Sequence, residues 1–254
     1  MNNNFLVDII LPNYNKKDYL KETIDSVINQ SFKKWHLIII DNNSSDGSQK
    51  IIESYSKYKN IQSVLLKRNM GLSFSRNLGL RYAKNEFVAF LDSDDLWDRY
   101  KLEKQIEFMI NKNYLFSYTN YTPFYLSDNK KIFKKIVKPK TSYDLNSFVQ
   151  DTSIATSSMV IKRTTINVKK FKTNSHNEDY DFKCKILLKN ITAYNLEENL
   201  TFYRITQNSR SSYKLKSLLS IYSTNRNLLQ MSLFKNIISI LFVMLRSIIK
   251  YGYK

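Results

Sequence analysis

Glu86-Phe-Val-Ala-Phe-Leu-Asp-Ser-Asp-Asp95 is the stretch that decides the fold of this 254-residue chain. Residues 87–91 form a short, aromatic-rich apolar run, which predicts a buried strand rather than a helix. Three carboxylates follow the run at once, namely Asp92, Asp94 and Asp95. Because open α/β sheets bind ligands at the carboxyl ends of their strands, these acids lie where a ligand site is expected.

The three carboxylates have two interpretations. Carboxylates this close repel one another unless a cation neutralises them, and hard divalent cations prefer oxygen ligands, so the cluster fits a metal site. The alternative is a solvated turn in which Asp95 caps the next helix, since aspartate is a good N-cap residue. The stretch alone leaves both interpretations open.

Strands and helices alternate ahead of this stretch. Residues 5–11, 35–40 and 61–66 are apolar runs that predict strands, and each is followed by a helical pattern. This alternation predicts an α/β protein with a parallel sheet and right-handed crossover connections. Asp41 follows the second strand as Asp92 follows the fourth, so both are expected at one edge of the sheet. The shared edge favours a metal or nucleotide site over a solvated turn.

The composition limits the compartment and the partners. The single cysteine, Cys184, allows no disulfide within the chain, which favours a reducing compartment. The first apolar run lacks a preceding basic region and is interrupted by Asp8, so it predicts a strand rather than a signal peptide. The net charge of +18 indicates an anionic partner such as nucleic acid, acidic lipid or a phosphorylated substrate. A drift of composition towards lysine, asparagine and isoleucine is the alternative explanation.

Five segments, taken in order, resemble the family 2 glycosyltransferases. They are Val7-Asp-Ile-Ile-Leu-Pro-Asn-Tyr-Asn15, Leu20 with Ile24-Asp-Ser-Val-Ile-Asn-Gln30, Ile39-Ile-Asp-Asn-Asn-Ser-Ser-Asp-Gly-Ser48, Asn69-x-Gly-x-Ser-x-Ser-Arg-Asn-x-Gly79 and Phe90-Leu-Asp-Ser-Asp-Asp95. Each segment is weak evidence alone, but five at the expected spacing make a strong signal. The likeness becomes thin beyond residue 110.

This resemblance implies the GT-A fold of nucleotide-diphospho-sugar transferases, a mostly parallel sheet flanked by helices, followed here by a C-terminal helical tail. Residues 1–212 would form the GT-A domain, with a nucleotide-sugar-binding half at 1–100 and an acceptor-binding half at 101–212. Residues 213–254 would form the basic, apolar tail. An aromatic, β-like segment at residues 114–125 is expected at the edge of the sheet.

The resemblance also implies a donor site for a nucleotide-sugar. Pro12 and Tyr14 would line the base and ribose, and Asp41 would accept a hydrogen bond from the base, commonly uracil. Arg76 would approach the diphosphate or the base, because a guanidinium fork suits phosphate oxygens. Asn42 replaces a second aspartate that many relatives carry, which leaves the base selectivity less defined. The full expected donor set is Pro12, Tyr14, Asp41, Arg76, Asp92 and Ser93, with Asn13 and Asn42 as further candidates.

Asp92-Ser93-Asp94 matches the DXD motif of the family, in which the second aspartate binds the metal. By that match Asp94 would hold Mn²⁺ or Mg²⁺ with support from Asp92, whereas Asp95 would be structural. Inverting transfer also needs a carboxylate base, because the acceptor hydroxyl loses a proton as it attacks. The segment from residue 174 to 182 resembles the family's Glu-Asp pair, so Asp179 would be the base and Glu178 would hold the loop or bind the acceptor. The structural alternative is that both acids only favour a helix N-terminus.

Arg204 and Arg210 lie in a segment that resembles the one contacting the diphosphate in the family, and they are further candidates for that contact. The Gln-x-x-Arg-Trp signature of processive members is absent from the sequence, which favours a single addition per binding event. The tail contains the apolar run 237–245, which is too short for a transmembrane span of about 20 residues. It fits a basic helix in a membrane interface, or a helix docked on the enzyme's own core or on a second subunit.

The expected function is that of an inverting glycosyltransferase in cell-surface glycan synthesis. It would move a sugar from a nucleotide-diphosphate donor, UDP-linked by preference, to a saccharide or lipid-linked saccharide acceptor. The expected location is the cytoplasm, at the inner face of the membrane, with peripheral contact through the tail. Two alternatives are a sugar-1-phosphate nucleotidyltransferase, whose Gly-rich basic loop is missing after the first strand, and a non-catalytic basic protein that binds lipid or nucleic acid. No segment resembles a nucleic-acid recognition motif, so nucleic acid is not an expected partner.

Overall fold

The first half of the chain alternates strands and helices as its sequence predicts. A computed structural model describes residues 6–128, 130–166, 170–173, 175–206 and 214–251. The elements of the first half are β1 (Val7–Asn13), α1 (Lys17–Ile28), β2 (Trp35–Asp41), α2 (Ser48–Ser54), β3 (Ile61–Leu65), α3 (Leu72–Tyr82) and β4 (Phe87–Phe90). β1 pairs in parallel with both β2 and β4, and β2 pairs in parallel with β3. The four strands therefore end at one edge of the sheet.

The second half extends the same sheet with strands of both directions. Its elements are β5 (Leu96–Trp97), α4 (Lys101–Asn111), β6 (Phe116–Ser127), β7 (Lys130–Phe133), β8 (Ser142–Tyr143), α5 (Leu145–Phe148), β9 (Val160–Lys162), α6 (Glu178–Leu187), β10 (Ala193–Arg204), α7 (Lys214–Asn227) and α8 (Leu233–Tyr251). The strand order is β3-β2-β1-β4-β9-β6-β10-β5, with β7 on β6 and β8 on β10. β9 is antiparallel to both of its neighbours, β4 and β6.

The aromatic segment expected at the sheet edge lies inside the sheet instead. β6 is flanked by β9 on one side and by β10 on the other. Phe116 and Tyr118 are completely buried there. The short strand β9 comes from a segment some forty positions later in the chain, and it inserts between β4 and β6. Local sequence carries no sign of that insertion, because the pairing is set by distant residues.

Both faces of the sheet carry an apolar core. Ile9 and Leu37 belong to the core on one face, and their neighbours Ile10 and Ile38 belong to the core on the other. Strands buried on both faces explain why these runs are continuously apolar rather than alternating. Helix α3 packs so closely on β1 that a Cβ atom at Gly79 would lie 2.5 Å from Cγ2 of Ile10. This close approach holds α3 directly against β1.

The tail folds back as a helical hairpin on the rest of the domain. The hydroxyl of Tyr180 in α6 donates to Oδ1 of Asn225 at 2.6 Å, and Nδ2 of Asn225 donates to Oδ1 of Asn236 at 2.9 Å. Oγ of Ser239 donates to the carbonyl oxygen of Val149 at 2.6 Å. One face of the tail therefore packs on its own domain. None of the helices in the described ranges is long and apolar enough to cross a membrane.

Candidate active site

One cavity of about 1140 Å³ collects most of the side chains that the sequence predicts to be functional. It lies where β1 and β4 end, between the start of α3, the start of α6 and the tail hairpin. The predicted residues that line it are Pro12, Asn13, Tyr14, Asn42, Arg76, Asp92, Ser93, Asp94, Glu178, Asp179 and Arg204. Asp41 does not line it, and Arg210 lies outside the described residues.

Asp41 lies behind the wall of the cavity. Its carboxylate is completely buried and accepts hydrogen bonds from Nδ2 of Asn13 at 2.7 Å and from Oγ of Ser44 at 2.6 Å. Because a carboxylate only accepts, it holds the donor end of the Asn13 amide towards itself. The other end, Oδ1 of Asn13, is buried without a hydrogen-bond partner among the described residues. Direct contact between Asp41 and a base therefore stays a prediction, and Asn13 presents the unsatisfied acceptor.

Arg76 joins the acidic loop to the start of α6. Its guanidinium donates to Oδ1 of Asp92 at 2.6 Å and to Oε1 of Glu178 at 2.8 Å. Burial lowers the pKa of Arg76, but Asp92 and Glu178 outweigh burial and raise that pKa above its ordinary value. Arg76 and Glu178 are both almost fully buried, so they form an internal ion pair. This ion pair links the loop after β4 to the start of α6 across the cavity.

Asp94 has a partner that the sequence analysis missed. Lys16 lies in the turn between β1 and α1, and its Nζ is 2.7 Å from Oδ2 of Asp94. Burial raises the pKa of Asp94, and the Lys16 ammonium opposes that rise. The signal that could have revealed this contact is a lysine directly after the first motif, at the same sheet edge as the acids. Within the described ranges no group of three or more histidine, cysteine or acidic residues could hold a metal.

Asp95 and Arg204 build the loop that carries Asp94. Asp95 accepts from Oγ of Ser157 at 2.6 Å and from the backbone nitrogen of Arg204 at 2.8 Å, and burial raises its pKa well above the ordinary value. Nε of Arg204 donates to the carbonyl oxygen of Asp94 at 2.7 Å, and Nη2 donates to Glu22 at 2.6 Å. The expected contact between Arg204 and a diphosphate stays a prediction, because its guanidinium holds the loop.

Asp179 stands in the first turn of α6 with a lysine one turn further on. Its Oδ2 accepts from Nζ of Lys183 at 2.8 Å and from Oγ1 of Thr156 at 3.1 Å. Burial raises the pKa of Asp179, but Lys183 and Arg76 prevail and lower that pKa below its ordinary value. Lys183 is 2 % exposed, whereas the carboxylate is 34 % exposed to the cavity. Sequence reasoning missed Lys183, although its spacing of four from Asp179 on a helix was a usable signal.

Comparison with known protein families decides what this arrangement belongs to. Residues 8–170 match the model of the family described as glycosyl transferase family 2. That match spans well over half of the chain and includes the DXD motif. The chain is a family 2 glycosyltransferase. Membership removes the two alternatives raised by the sequence, a nucleotidyltransferase and a non-catalytic basic binding protein.

Full-length relatives support the same family. The chain is 35 % identical to TuaG of Bacillus subtilis (strain 168), named for teichuronic acid biosynthesis, over 91 % of both chains. It is 37 % identical to WfgD of Escherichia coli over 84 % of this chain and 83 % of that protein. WfgD is named as a UDP-Glc:α-D-GlcNAc-diphosphoundecaprenol β-1,3-glucosyltransferase. The similarity thus covers more of the chain than the residues 8–170 that match the family model.

Solved structures confirm that this glycosyltransferase has the GT-A fold. TarS of S. aureus in complex with UDP-GlcNAc matches with a TM-score of 0.72 at 19 % identity, covering 98 % of this chain and 74 % of that one. The mannosyltransferase PcManGT of Pyrobaculum calidifontis, in complex with GDP-Man and Mn²⁺, matches with a TM-score of 0.69 at 15 % identity, covering 98 % and 76 %. At these identities the match concerns the fold alone.

Proposed function

We propose that this glycosyltransferase transfers a sugar from a UDP-sugar to the saccharide of a lipid-linked acceptor, with inversion, at the cytoplasmic face of a membrane. The observation that carries the proposal is the single cavity that contains both the Asp92–Asp94 acids and Asp179. The names of WfgD, a UDP-glucose enzyme with a lipid-linked acceptor, and of TuaG support the substrate class and the link to cell-surface glycans.

The donor side of the proposal rests on the turn after β1. Tyr14 is 47 % exposed at the cavity and offers an aromatic surface for a base. Oδ1 of Asn13 is buried in the cavity wall without a partner among the described residues, so an opening of this turn on donor binding would offer it to a base N–H group, which uracil supplies. Leaving a buried acceptor without a partner costs about 1–3 kcal/mol, so a base that fills this position gains affinity.

The metal proposed for the site is Mn²⁺ or Mg²⁺. Asp92 and Asp94 supply the oxygen ligands that such ions prefer, and a set of one or two carboxylates completed by substrate phosphates is the usual arrangement for Mg²⁺. Asp94 is already paired with Lys16, so the carboxylate has to exchange the ammonium for the ion. When bound, the ion would offset the charge that develops on the departing diphosphate.

Asp179 is proposed as the base of the transfer. The acceptor hydroxyl oxygen forms a bond to the anomeric carbon, the bond from that carbon to the diphosphate oxygen breaks, and the hydroxyl proton goes to the Asp179 carboxylate. Because Lys183 and Arg76 lower its pKa, Asp179 is ionised at neutral pH and ready to accept that proton. Its Oδ1 receives no hydrogen bond from the described residues, whereas Oδ2 receives two, so Oδ1 faces the reaction.

Contact with a membrane surface is proposed for α8. Most of its exposed side chains are apolar over four turns, and the helix also exposes the cations Lys235 and Arg246 but carries no acidic residue. This is the composition of a helix that lies in a membrane interface. The exposed apolar residues, which we call the outer stripe, are Leu233, Phe234, Ile237, Leu241, Phe242, Met244, Leu245 and Ile248.

The test is a transfer assay with UDP-, GDP- and CDP-sugars on a lipid-linked saccharide, with Mn²⁺ or with EDTA. We expect transfer only from UDP-sugars in Mn²⁺, and we expect Asp179→Asn to abolish transfer while the affinity for UDP stays within about twofold. Glu198→Gln, a surface change outside the cavity, is the matched control. Unimpaired transfer by Asp179→Asn would remove Asp179 as the base.

A further inference from the structure

The cavity continues beyond the transfer site into an apolar arm. We give this name to the part lined by Phe148, Leu218, Ile221, Val243, Met244 and Ile248, from α5 and the tail hairpin. The whole cavity, at about 1140 Å³, is larger than the roughly 300–1,000 Å³ of a typical pocket for one small-molecule ligand. It therefore has room for a donor and for part of a second substrate.

Both sides of the tail hairpin carry apolar side chains, since Ile221 and Val243 are buried in the domain core while the outer stripe is exposed. Its packed side carries polar groups that are completely buried and mutually hydrogen-bonded, such as Asn225 and Asn236. Its outer stripe is apolar and exposed. The packed side already buries the apolar groups that complete the core, so the outer stripe is apolar surface in addition to them. The polar contacts hold α8 in one position, so the arm that it lines is a fixed feature of the site.

Two side chains connect the arm to the outer stripe. Met244 and Ile248 line the cavity, yet they are 43 % and 37 % exposed at the molecular surface. An apolar chain can therefore reach from the surface of α8 into the cavity while staying in contact with apolar groups. The transfer site lies at the other end of the same cavity, where Asp94 and Asp179 are found.

The arm also carries excess positive charge. Nζ of Lys250, which lines the cavity, lies 3.3 Å from Oδ1 of Asp151, and Nε of Arg246 lies 3.8 Å from Oδ2 of the same carboxylate. Asp151 also accepts hydrogen bonds from Tyr143 and Ser153. Two cations thus share one carboxylate, which leaves a net positive charge for an anion to bind.

We propose that the apolar arm binds the hydrocarbon chain of a lipid diphosphate acceptor, with Lys250 and Arg246 at its diphosphate, so that the attached saccharide extends towards Asp179. This inference rests on the proposed function, because it assigns a position to the lipid-linked acceptor. The occupant follows from the combination of an apolar lining, adjacent cations and continuity with the transfer site. A saccharide without a lipid would use neither the apolar lining nor the cations.

The test uses farnesyl diphosphate and inorganic diphosphate as probes for the full chain, titrated by calorimetry in saturating UDP with Mn²⁺. Saturating UDP keeps both probes out of the donor site, and a prior titration of UDP alone tests the proposed donor. We expect farnesyl diphosphate to bind at least about tenfold more tightly than inorganic diphosphate, because its chain buries apolar surface. Lys250→Gln should weaken both probes.

The matched variants are Met244→Gln/Ile248→Gln, which changes the arm, and Leu241→Gln/Leu245→Gln, which changes only the outer stripe. We expect the first variant to weaken the binding of farnesyl diphosphate about tenfold without changing the binding of inorganic diphosphate. We expect the second variant to change neither affinity. Equal losses of farnesyl diphosphate affinity in both variants would mean that the probe adsorbs generally to α8, and would overturn the inference. Equal affinities of the two probes for the unmodified chain would also overturn it. Failure of UDP to bind would instead contradict the proposed donor.

Discussion

Replacing Lys183 by methionine tests whether this lysine orients and ionises Asp179. Methionine fills a similar volume without the charge, so Asp179 keeps its neighbours but loses the ammonium at 2.8 Å. Coulomb's law at an effective dielectric constant of about 20 gives roughly 6 kcal/mol at this separation, as an upper bound. Because Asp179 is 34 % exposed, solvent screens much of this electrostatic attraction. We place the coupling at about 2 kcal/mol, between exposed pairs (about 0–1) and buried ones (about 3–5).

A double-mutant cycle measures this coupling directly. The variants are Lys183→Met, Asp179→Asn and both together, unfolded by urea at pH 7 and analysed by linear extrapolation. We expect each single variant to be destabilised and the pair to be less destabilised than their sum. The control is the surface pair Lys104–Glu198, whose side chains are 44 % and 42 % exposed and whose coupling should stay below about 0.5 kcal/mol. A coupling energy below about 0.5 kcal/mol between Lys183 and Asp179 would refute the reasoning.

The pH dependence of the coupling has a defined sign. The pKa of Asp179 is lower in the folded protein than in the unfolded chain, because Lys183 and Arg76 outweigh the burial that would raise it. Its contribution to stability is therefore fully present above the unfolded value of about 3.9 and is lost as the pH falls through the lower folded value. We expect an unchanged coupling at pH 5. In transfer assays, Lys183→Met should lower kcat about tenfold with little change in the donor KM, because the lysine positions the base.

Two further predictions concern the donor side. Lys16→Met should raise the affinity for Mn²⁺ about fivefold in the absence of nucleotide, because the ion no longer displaces a partly buried ammonium whose ion pair is worth about 1 kcal/mol. The affinity is measured by electron paramagnetic resonance, with Lys17→Met as the control. An unchanged affinity in Lys16→Met would contradict the exchange of the ammonium for the ion. Asn13→Ala should weaken the binding of UDP about tenfold, measured by calorimetry, and leave the binding of inorganic diphosphate unaffected, because only a base would contact the unpartnered oxygen of Asn13. An equal loss of affinity for both ligands would contradict that contact.

The part of the cavity that the first four strands form was predictable because its signals are local. A buried strand that ends in acids, repeated at Asp41 and Asp92, is sufficient to place a ligand site at one sheet edge. The sequence did not distinguish an acid that lines the cavity from one that lies behind it. Asp41 is completely buried behind Asn13, whereas Asp92 faces the cavity. That difference depends on how the side chains of the loop after β2 pack, which no periodicity encodes.

The missed contacts are long-range or concern which side of an element faces inwards. Lys16 and Asp94 are 78 positions apart, so only the folded sheet edge brings them together. The edge position expected for residues 114–125 was wrong for the same reason, since β9 inserts from far along the chain. The apolar run of the tail was visible in the sequence, but not which of its side chains would be buried in the core, such as Val243, and which exposed, such as Leu241. An exposed apolar stripe of this kind is typical of an interaction surface, which is why membrane contact is proposed for α8.

The charges of the transfer site explain why a divalent ion suits it. Pairs of acids are separated by single cations along the cavity, in the order Lys16, Asp94, Asp92, Arg76, Glu178, Asp179 and Lys183. Three are cationic and four anionic, which leaves one negative charge in excess. An excess of negative charge on these side chains disfavours the binding of a diphosphate. A divalent cation would change the excess to one positive charge, and exchange at Asp94 would also free the Lys16 ammonium to face the diphosphate. Donor binding and metal binding should therefore be strongly coupled, with UDP affinity falling as the ion is withdrawn even when no sugar is transferred.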